Sequence, residues 1–130
     1  MWLVHLLLKQ MDLLIIQDQL DTIDLSDNDI KKVDNFPLLL RLRTIFLSNN
    51  RVSRIATDLE KALPNLTTLV LSNNLFTELA DLLPLATIKS LRSLSLIDNH
   101  VSRVANYRLF VVHFMPFLTL LDFRKIKQKV

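Results

Sequence analysis

Side chains able to do chemistry are few in this chain of 130 residues, and they are poorly grouped. There is no Cys, so thiolate chemistry is absent and a structural zinc site is not expected. His5, His100 and His113 stand far apart without ligand spacing, so neither a metal nor another cofactor is implied. Asp24, Asp27, Asp98 and Asp122 recur along the chain, but no Ser/His/acid triad or paired carboxylate can be assembled from them. A phosphate-cradling loop is ruled out because the chain has no Gly. The chemistry that does recur is that of the carboxamide, at Asn28, Asn50, Asn74 and Asn99. An amide donates and accepts at once, which suits it to backbone groups in a turn that no strand partner reaches. The expectation is a non-enzyme with no small-molecule substrate, in which these four residues form a structural Asn ladder.

Each Asn belongs to a longer unit. Residues Leu66 to Leu79, LTTLVLSNNLFTEL, place apolar side chains at Leu66, Leu69 and Leu71, then Asn74, then Phe76 and Leu79. LDTIDLSDNDIKKV from Leu20, LRTIFLSNNRVSRI from Leu42 and LRSLSLIDNHVSRV from Leu91 repeat that pattern, and LTLLDF from Leu118 repeats its first half. Successive starts are 22, 24, 25 and 27 residues apart. This is the leucine-rich repeat pattern, and its short apolar alternation predicts a strand with one buried face. The fold expected is an α/β leucine-rich repeat solenoid. Parallel strands at about 22–26, 44–48, 68–72, 93–97 and 119–123 line its concave side, with short helices and turns on the convex side. One domain, 1–130, is expected: a divergent or truncated N-terminal stretch over 1–19, four repeats over 20–105, and a capping repeat with a basic tail over 106–130.

The connecting segments have their own signals. Asp34 or Asn35 starts a short turn with Pro37 early in it. Thr57 and Glu60 stand in capping-box spacing ahead of a helix that Pro64 stops. Asp81 to Ile88, with Pro84 inside, predicts 3₁₀ or irregular turns, with Leu59, Leu63, Leu82, Leu85 and Ile88 in the core. A helix from about Asn106 to Phe114 and a final strand cover the open end. The tail FRKIKQKV is expected to be solvated. Without Gly, turns needing positive φ must use Asn and Asp. In residues 1–19, Leu6, Leu7, Met11 and Leu14 suit the convex half of an earlier repeat. Lys9, Gln10 and Asp12 interrupt that run well short of a membrane span, and Leu109–Leu121 is also too short, so no membrane association is expected.

Charge is uneven. Residues 1–34 carry seven Asp and three Lys, whereas 35–130 carry six acids and thirteen Lys/Arg. The later region therefore suits a polyanion partner or a basic solvated surface equally. Strand residues between the inward Leu positions face outward. These give a protein-binding concave face of Thr22, Asp24, Asp27, Thr44, Phe46, Ser48, Thr68, Val70, Ser72, Ser95, Ile97 and Asp98. On it Phe46, Val70 and Ile97 are expected to form an apolar track wide enough for one partner helix. Lys31, Lys32, Arg51, Arg54, Arg103, Arg124, Lys125 and Lys127 lie near the edges, where each is either simply solvated or in reach of a partner's phosphate groups.

Beyond the generic repeat, five segments carry a closer likeness. They are IDLSDNDIKKVDNFPLL (Ile23–Leu39), NNRVSRI (Asn49–Ile55), ALPNLTTLVLSNN (Ala62–Asn74), EL-x-DL-x-PLATIKSL (Glu78–Leu91) and YRLFVVHFMPFLTLLDFRKIK (Tyr107–Lys127). Together they resemble, in order, the A-prime subunit family of the spliceosomal small nuclear ribonucleoprotein that pairs with the intron branch site. The resemblance implies a nuclear protein of pre-mRNA splicing. Its concave face would bind the RRM-containing B-double-prime subunit of the same particle, and small nuclear RNA would be held through that heterodimer. The chain departs from the family in lacking the expected N-terminal repeat and cap, and in lacking the glycines the family places near Asn35, Ala56 and Ala80. The competing readings are a leucine-rich repeat scaffold of another nuclear or axonemal complex, and a redesigned or truncated fragment without retained binding.

Overall fold

A computed structural model of the chain describes residues 20–127; the expectation for residues 1–19 lies outside them. Five parallel strands line one side: Thr22–Asp24 (β1), Thr44–Phe46 (β3), Thr68–Val70 (β5), Ser93–Ser95 (β6) and Leu120–Leu121 (β7). Between them in sequence, Lys32–Val33 (β2) and Arg54–Ile55 (β4) pair in parallel as a second, two-stranded sheet. The main register stacks Ile23, Ile45, Leu69, Leu94 and Leu121, one from each repeat. All five are buried, as are Leu25, Leu47, Leu71 and Leu96 two residues later and Ile30, Val52, Phe76 and Val101 beyond the turn. Each repeat thus buries its apolar edge against its neighbours, which is how a solenoid builds one core from short units. The leucine-rich repeat fold is the one expected.

The strands are shorter than the five residues expected, because each repeat bends soon after its third strand residue. Asp27, Asn49, Asn73 and Asp98 take φ of 53–62° at equivalent positions. Left-handed backbone costs an ordinary L-residue about 1–2 kcal/mol, and Asn and Asp tolerate it best after Gly. Asn35 and Asn106 are also left-handed, whereas Ala56 and Ala80 are not. Of the three turns where the resembling family places glycine, only that at Asn35 needs it here.

On the convex side, the expected capping box at Thr57 does not form. The helix is a single turn, Leu59–Ala62 (α1), with Asp58 at its N-cap and no side-chain capping bond. The helix starts one residue later than the spacing implied, so Thr57 lies before the N-cap and Glu60 falls at the second helical position, out of capping-box register. The segment Leu79–Thr87 is 3₁₀ helix, as its spacing requires. Leu82, Leu85 and Ile88 recur every third residue and are buried, and three residues per turn aligns them. A second 3₁₀ segment spans His100–Arg103, and Tyr107–Phe114 forms the cap helix (α2).

The tail departs from expectation. Arg124–Lys125 (β8) pairs antiparallel with β7 and ends the sheet. Asp122 and Phe123 both have positive φ, the geometry of a two-residue hairpin turn. Ile126 donates its N–H to the Thr119 carbonyl (3.0 Å) and packs partly against the core. The Arg108 guanidinium on α2 donates to the carbonyls of Leu121 and Lys125, both at 3.2 Å. The side chains of Arg124, Lys125 and Lys127 are exposed. A free sheet edge invites foreign strands; here β7 is covered and the edge is reduced to the two charged residues of β8, held by the Arg108 clamp.

Asp122, one of the recurring carboxylates assigned no catalytic role from the sequence, belongs to this closure. Its Oδ1 accepts the Leu96 N–H at 2.7 Å, where the turning chain no longer offers a carbonyl, and its Oδ2 accepts the Tyr107 hydroxyl at 2.8 Å. Burial, and then the Asp122 charge, push the Tyr107 phenol well above the ordinary tyrosine range. A raised folded value means stability that is complete below the unfolded value of about 10 and lost as pH rises past it. Tyr107→Phe is expected to cost about 1.5–3 kcal/mol at neutral pH, the range for a hydrogen bond to a charged group. Urea titrations should also show a shallower loss of stability above about pH 10 in the variant than in wild type.

Candidate protein-binding face

Strand alternation sends every second side chain outward, and the register fixes which of them become neighbours. One outward row runs Thr22, Thr44, Thr68, Ser93 and Leu120; the next runs Asp24, Phe46, Val70 and Ser95. A third follows the strands through Ser48, Ser72 and Ile97, where Asn49 N–H meets Ser72 O (3.0 Å) and Asn73 N–H meets Ile97 O (2.8 Å).

Two expectations about this face need correction. Val70 is 9% exposed and Ser95 2%, so they form its floor, not a ridge. Val70 is covered because Phe46 and Ser95 flank it in register, and the Ser95 hydroxyl lies 2.9 Å from that of Ser72. The apolar track is not straight either. Ile97 lies in the third row, one step away from Phe46 and Val70. Phe46, 37% exposed, is the large apolar side chain that the second row presents.

Around this centre the face is polar. The Asp24 Oδ1 accepts the Ser26 N–H at 2.9 Å, which holds its carboxyl below the usual carboxylate value. Asp27 accepts from the Asn49 amide (2.8 Å), and Asn49 in turn accepts from Asn73 (2.9 Å). The sequence places Asn49 and Asn73 outward, but does not show the hydrogen bonds that join them into a row along one rim. Its signal was the doubled Asn of SNN at Ser48–Asn50 and Ser72–Asn74. Asp98 is exposed at the equivalent place on the far flank.

Behind the rim, the next Asn is buried in the second, third and fourth repeats. Asn50 donates to Leu25 O (3.0 Å) and Leu47 O (3.1 Å) and accepts the Asn28 and Ile30 N–H groups (both 3.1 Å). Asn74 donates to Leu47 O (2.9 Å) and Leu71 O (3.0 Å) and accepts the Val52 N–H (2.9 Å). Asn99 donates to Leu71 O (2.9 Å) and Leu96 O (3.1 Å) and accepts the Phe76 N–H (3.1 Å). Asn28 donates to Leu25 O and Ser26 O but is itself exposed. Adjacent repeats are stitched through shared carbonyls, and the outward strand residues are held in fixed positions as a result.

The basic residues do not converge on one strip. Lys32 and Arg54 are register neighbours on β2 and β4, and Lys31 precedes them. Lys32 lies 3.6 Å from Asp34, and Arg51 is paired with Asp29 at 3.0 Å. Arg103 is on the second 3₁₀ segment, and Arg124, Lys125 and Lys127 are at the C-terminal edge. Among the described residues, no three His, Asp or Glu side chains are grouped to hold a metal ion.

A leucine-rich repeat family profile matches residues 10–130. The U2 small nuclear ribonucleoprotein A' of Homo sapiens is 52% identical over 112 residues, which cover 86% of this chain and 44% of that protein. The A' protein of Arabidopsis thaliana is 52% identical over 113 residues, covering 87% of this chain and 45% of that one. The chain therefore spans less than half the length of these curated relatives. Among solved structures, a chain of the Drosophila melanogaster SNF/U2A' complex superposes with a TM-score of 0.86 at 51% identity, covering 91% of this chain and 68% of that one. The chain belongs to the leucine-rich repeat family, within the group of the U2 small nuclear ribonucleoprotein A' proteins.

Proposed function

We propose that this chain is a non-catalytic interaction module of the nuclear splicing machinery. Its four repeats, 20–105, offer the concave face to one helix of an RRM protein, the B-double-prime subunit of the same particle. The resulting pair holds small nuclear RNA, with the cap, 106–130, at its edge. The observation that carries this reading is the concave surface itself: Phe46 exposed over a Val70 floor, with Asp24, Asp27 and Asp98 at the flanks. An apolar centre with a charged rim is how protein interfaces with a buried anchor are built. Acidic flanks complement the basic surface an RNA-binding partner must have. The two-protein SNF/U2A' complex, in which the similar chain was solved, supports the same reading.

Recombinant RRM protein titrated against this chain by calorimetry should give a one-to-one complex without RNA, and a small nuclear RNA stem-loop should then bind the pair more tightly than either protein alone. No heat of association at tens of micromolar would overturn the proposal. Arg103→Ala and Lys125→Ala should leave the protein pair assembled. Each should weaken its hold on RNA about two- to fivefold and lower the salt dependence by about one phosphate contact. RNA affinity and salt slope equal to wild type in both variants would remove these residues from the RNA path.

A further inference from the structure

The outer side of the cap points to a second docking surface: we propose that α2 and the groove beside it receive an acidic amphipathic helix of another protein. The inner stripe of α2, Tyr107 and Val111, continues with Met115 into the core. Its outer side is apolar too, where a surface helix is ordinarily polar. Leu109 is 63% and Phe114 44% exposed, with Phe110 half-buried between them. The Phe110 and Phe114 rings lie 4.7 Å apart, and His113 meets Phe114 edge-on at 4.8 Å. A groove of about 420 Å³ adjoins this patch at His113, with Val112, Pro116, Phe117 and Ile126 along it and Lys127 at its margin. The helix packs on the 3₁₀ segments 79–87 and 100–103 of the convex side, so an occupant here does not compete for the concave sheet.

Charge selects the occupant. Besides Arg108, which is held on the hairpin carbonyls, residues 100–127 carry Arg103, Arg124, Lys125 and, in the groove lining, Lys127, against one acid, Asp122, whose oxygens are already engaged by Leu96 and Tyr107. A second copy docking through this same face would bring the same cations to the contact and be repelled. Single-stranded nucleic acid needs ring faces offered in succession. Here two of the rings are packed on each other, and the most exposed group is the aliphatic Leu109. An acidic helix with an i, i+3, i+4, i+7 apolar stripe satisfies both the patch and its rim. Eight residues of α2 present roughly 12 Å of helix, about two turns of such a partner.

The test is fluorescence anisotropy with a labelled synthetic helix of about 18 residues, Leu on one stripe and Glu elsewhere. The same helix with Lys for Glu, the same with Ser for Leu, and an oligouridylate complete the set. The Leu/Glu helix should bind alone among the four, and more weakly as salt rises. Leu109→Glu and Phe114→Glu should each weaken it at least tenfold while leaving the melting temperature and the concave-face titration unchanged, since both side chains are exposed. The proposal is overturned if the Leu/Glu helix does not bind, if the Lys version binds as well, or if the two variants bind like wild type. It is equally overturned if these variants instead abolish oligouridylate binding or a self-association seen by sedimentation.

Discussion

Asn50→Ala and Asn74→Ala together are expected to destabilise the protein by more than the sum of their separate effects. In the native chain Leu47 O receives the amide of Asn50 at 3.1 Å and that of Asn74 at 2.9 Å, and no backbone N–H among the described residues donates to it. Either single variant therefore leaves this carbonyl one donor. Asn74→Ala alone strips the Val52 N–H of its acceptor, and Val52 is fully buried. A buried unpaired group costs about 1–3 kcal/mol, so with the remaining weakened bonds a loss of about 2–4 kcal/mol is expected. Asn50→Ala similarly orphans the Ile30 N–H. Only the double variant leaves Leu47 O with no partner, and a coupling of about 1–2 kcal/mol should appear in a double-mutant cycle by urea unfolding. Asn28→Ala is the internal control. Its amide is exposed and its carbonyl partner Leu25 O is also served by Asn50, so it should cost under about 1 kcal/mol. Additive losses would mean that water replaces the missing amides and that the ladder does not couple the repeats.

That coupling explains which regions of the molecule were legible from residues alone. The strand rows and their core partners follow from a repeat: once one unit is aligned, register places the others. The 3₁₀ segment was legible for a similar reason, since Leu82, Leu85 and Ile88 recur at its own period and Pro84 forbids a regular α-helix. What was not legible depends on residues far apart in sequence. Asp122 is fixed by Leu96, 26 positions before it, and by Tyr107, 15 positions before it. The β8 hairpin rests on Phe123 at φ 62°, a conformation a bulky residue does not announce, and on Arg108 reaching across from α2. The concave face was legible as a face but not in relief. Alternation says that Val70 and Ser95 point outward, but the neighbouring strands decide how much of either is covered. Thr57 failed for a local reason: the helix starts one residue later, with Asp58 at its N-cap, which puts Thr57 and Glu60 out of capping-box register.

Phe46→Arg should cost the heterodimer about 30- to 1000-fold in affinity, corresponding to the 2–4 kcal/mol of a central aromatic anchor. Phe46 is the outward aromatic of the second row, beside the apolar Val70 floor on one neighbouring strand and the Asp24 carboxylate on the other. A partner helix seated there would desolvate the ring fully, and a guanidinium in its place would be buried against a basic, RNA-binding surface. The fold itself should tolerate the change. The side chain leaves the core untouched, and its register partner Asp24 offers the new cation a counter-charge. Thermal melting within one or two degrees of wild type is therefore expected, since surface substitutions generally stay within about 0.5 kcal/mol. Titration of recombinant RRM protein against wild type and Phe46→Arg, without RNA, separates the outcomes. Large loss of affinity at an unchanged melting temperature places the interface on the concave rows. Equal affinities would take Phe46 out of it, because no partner helix can cover the Val70 floor without also burying the ring beside it.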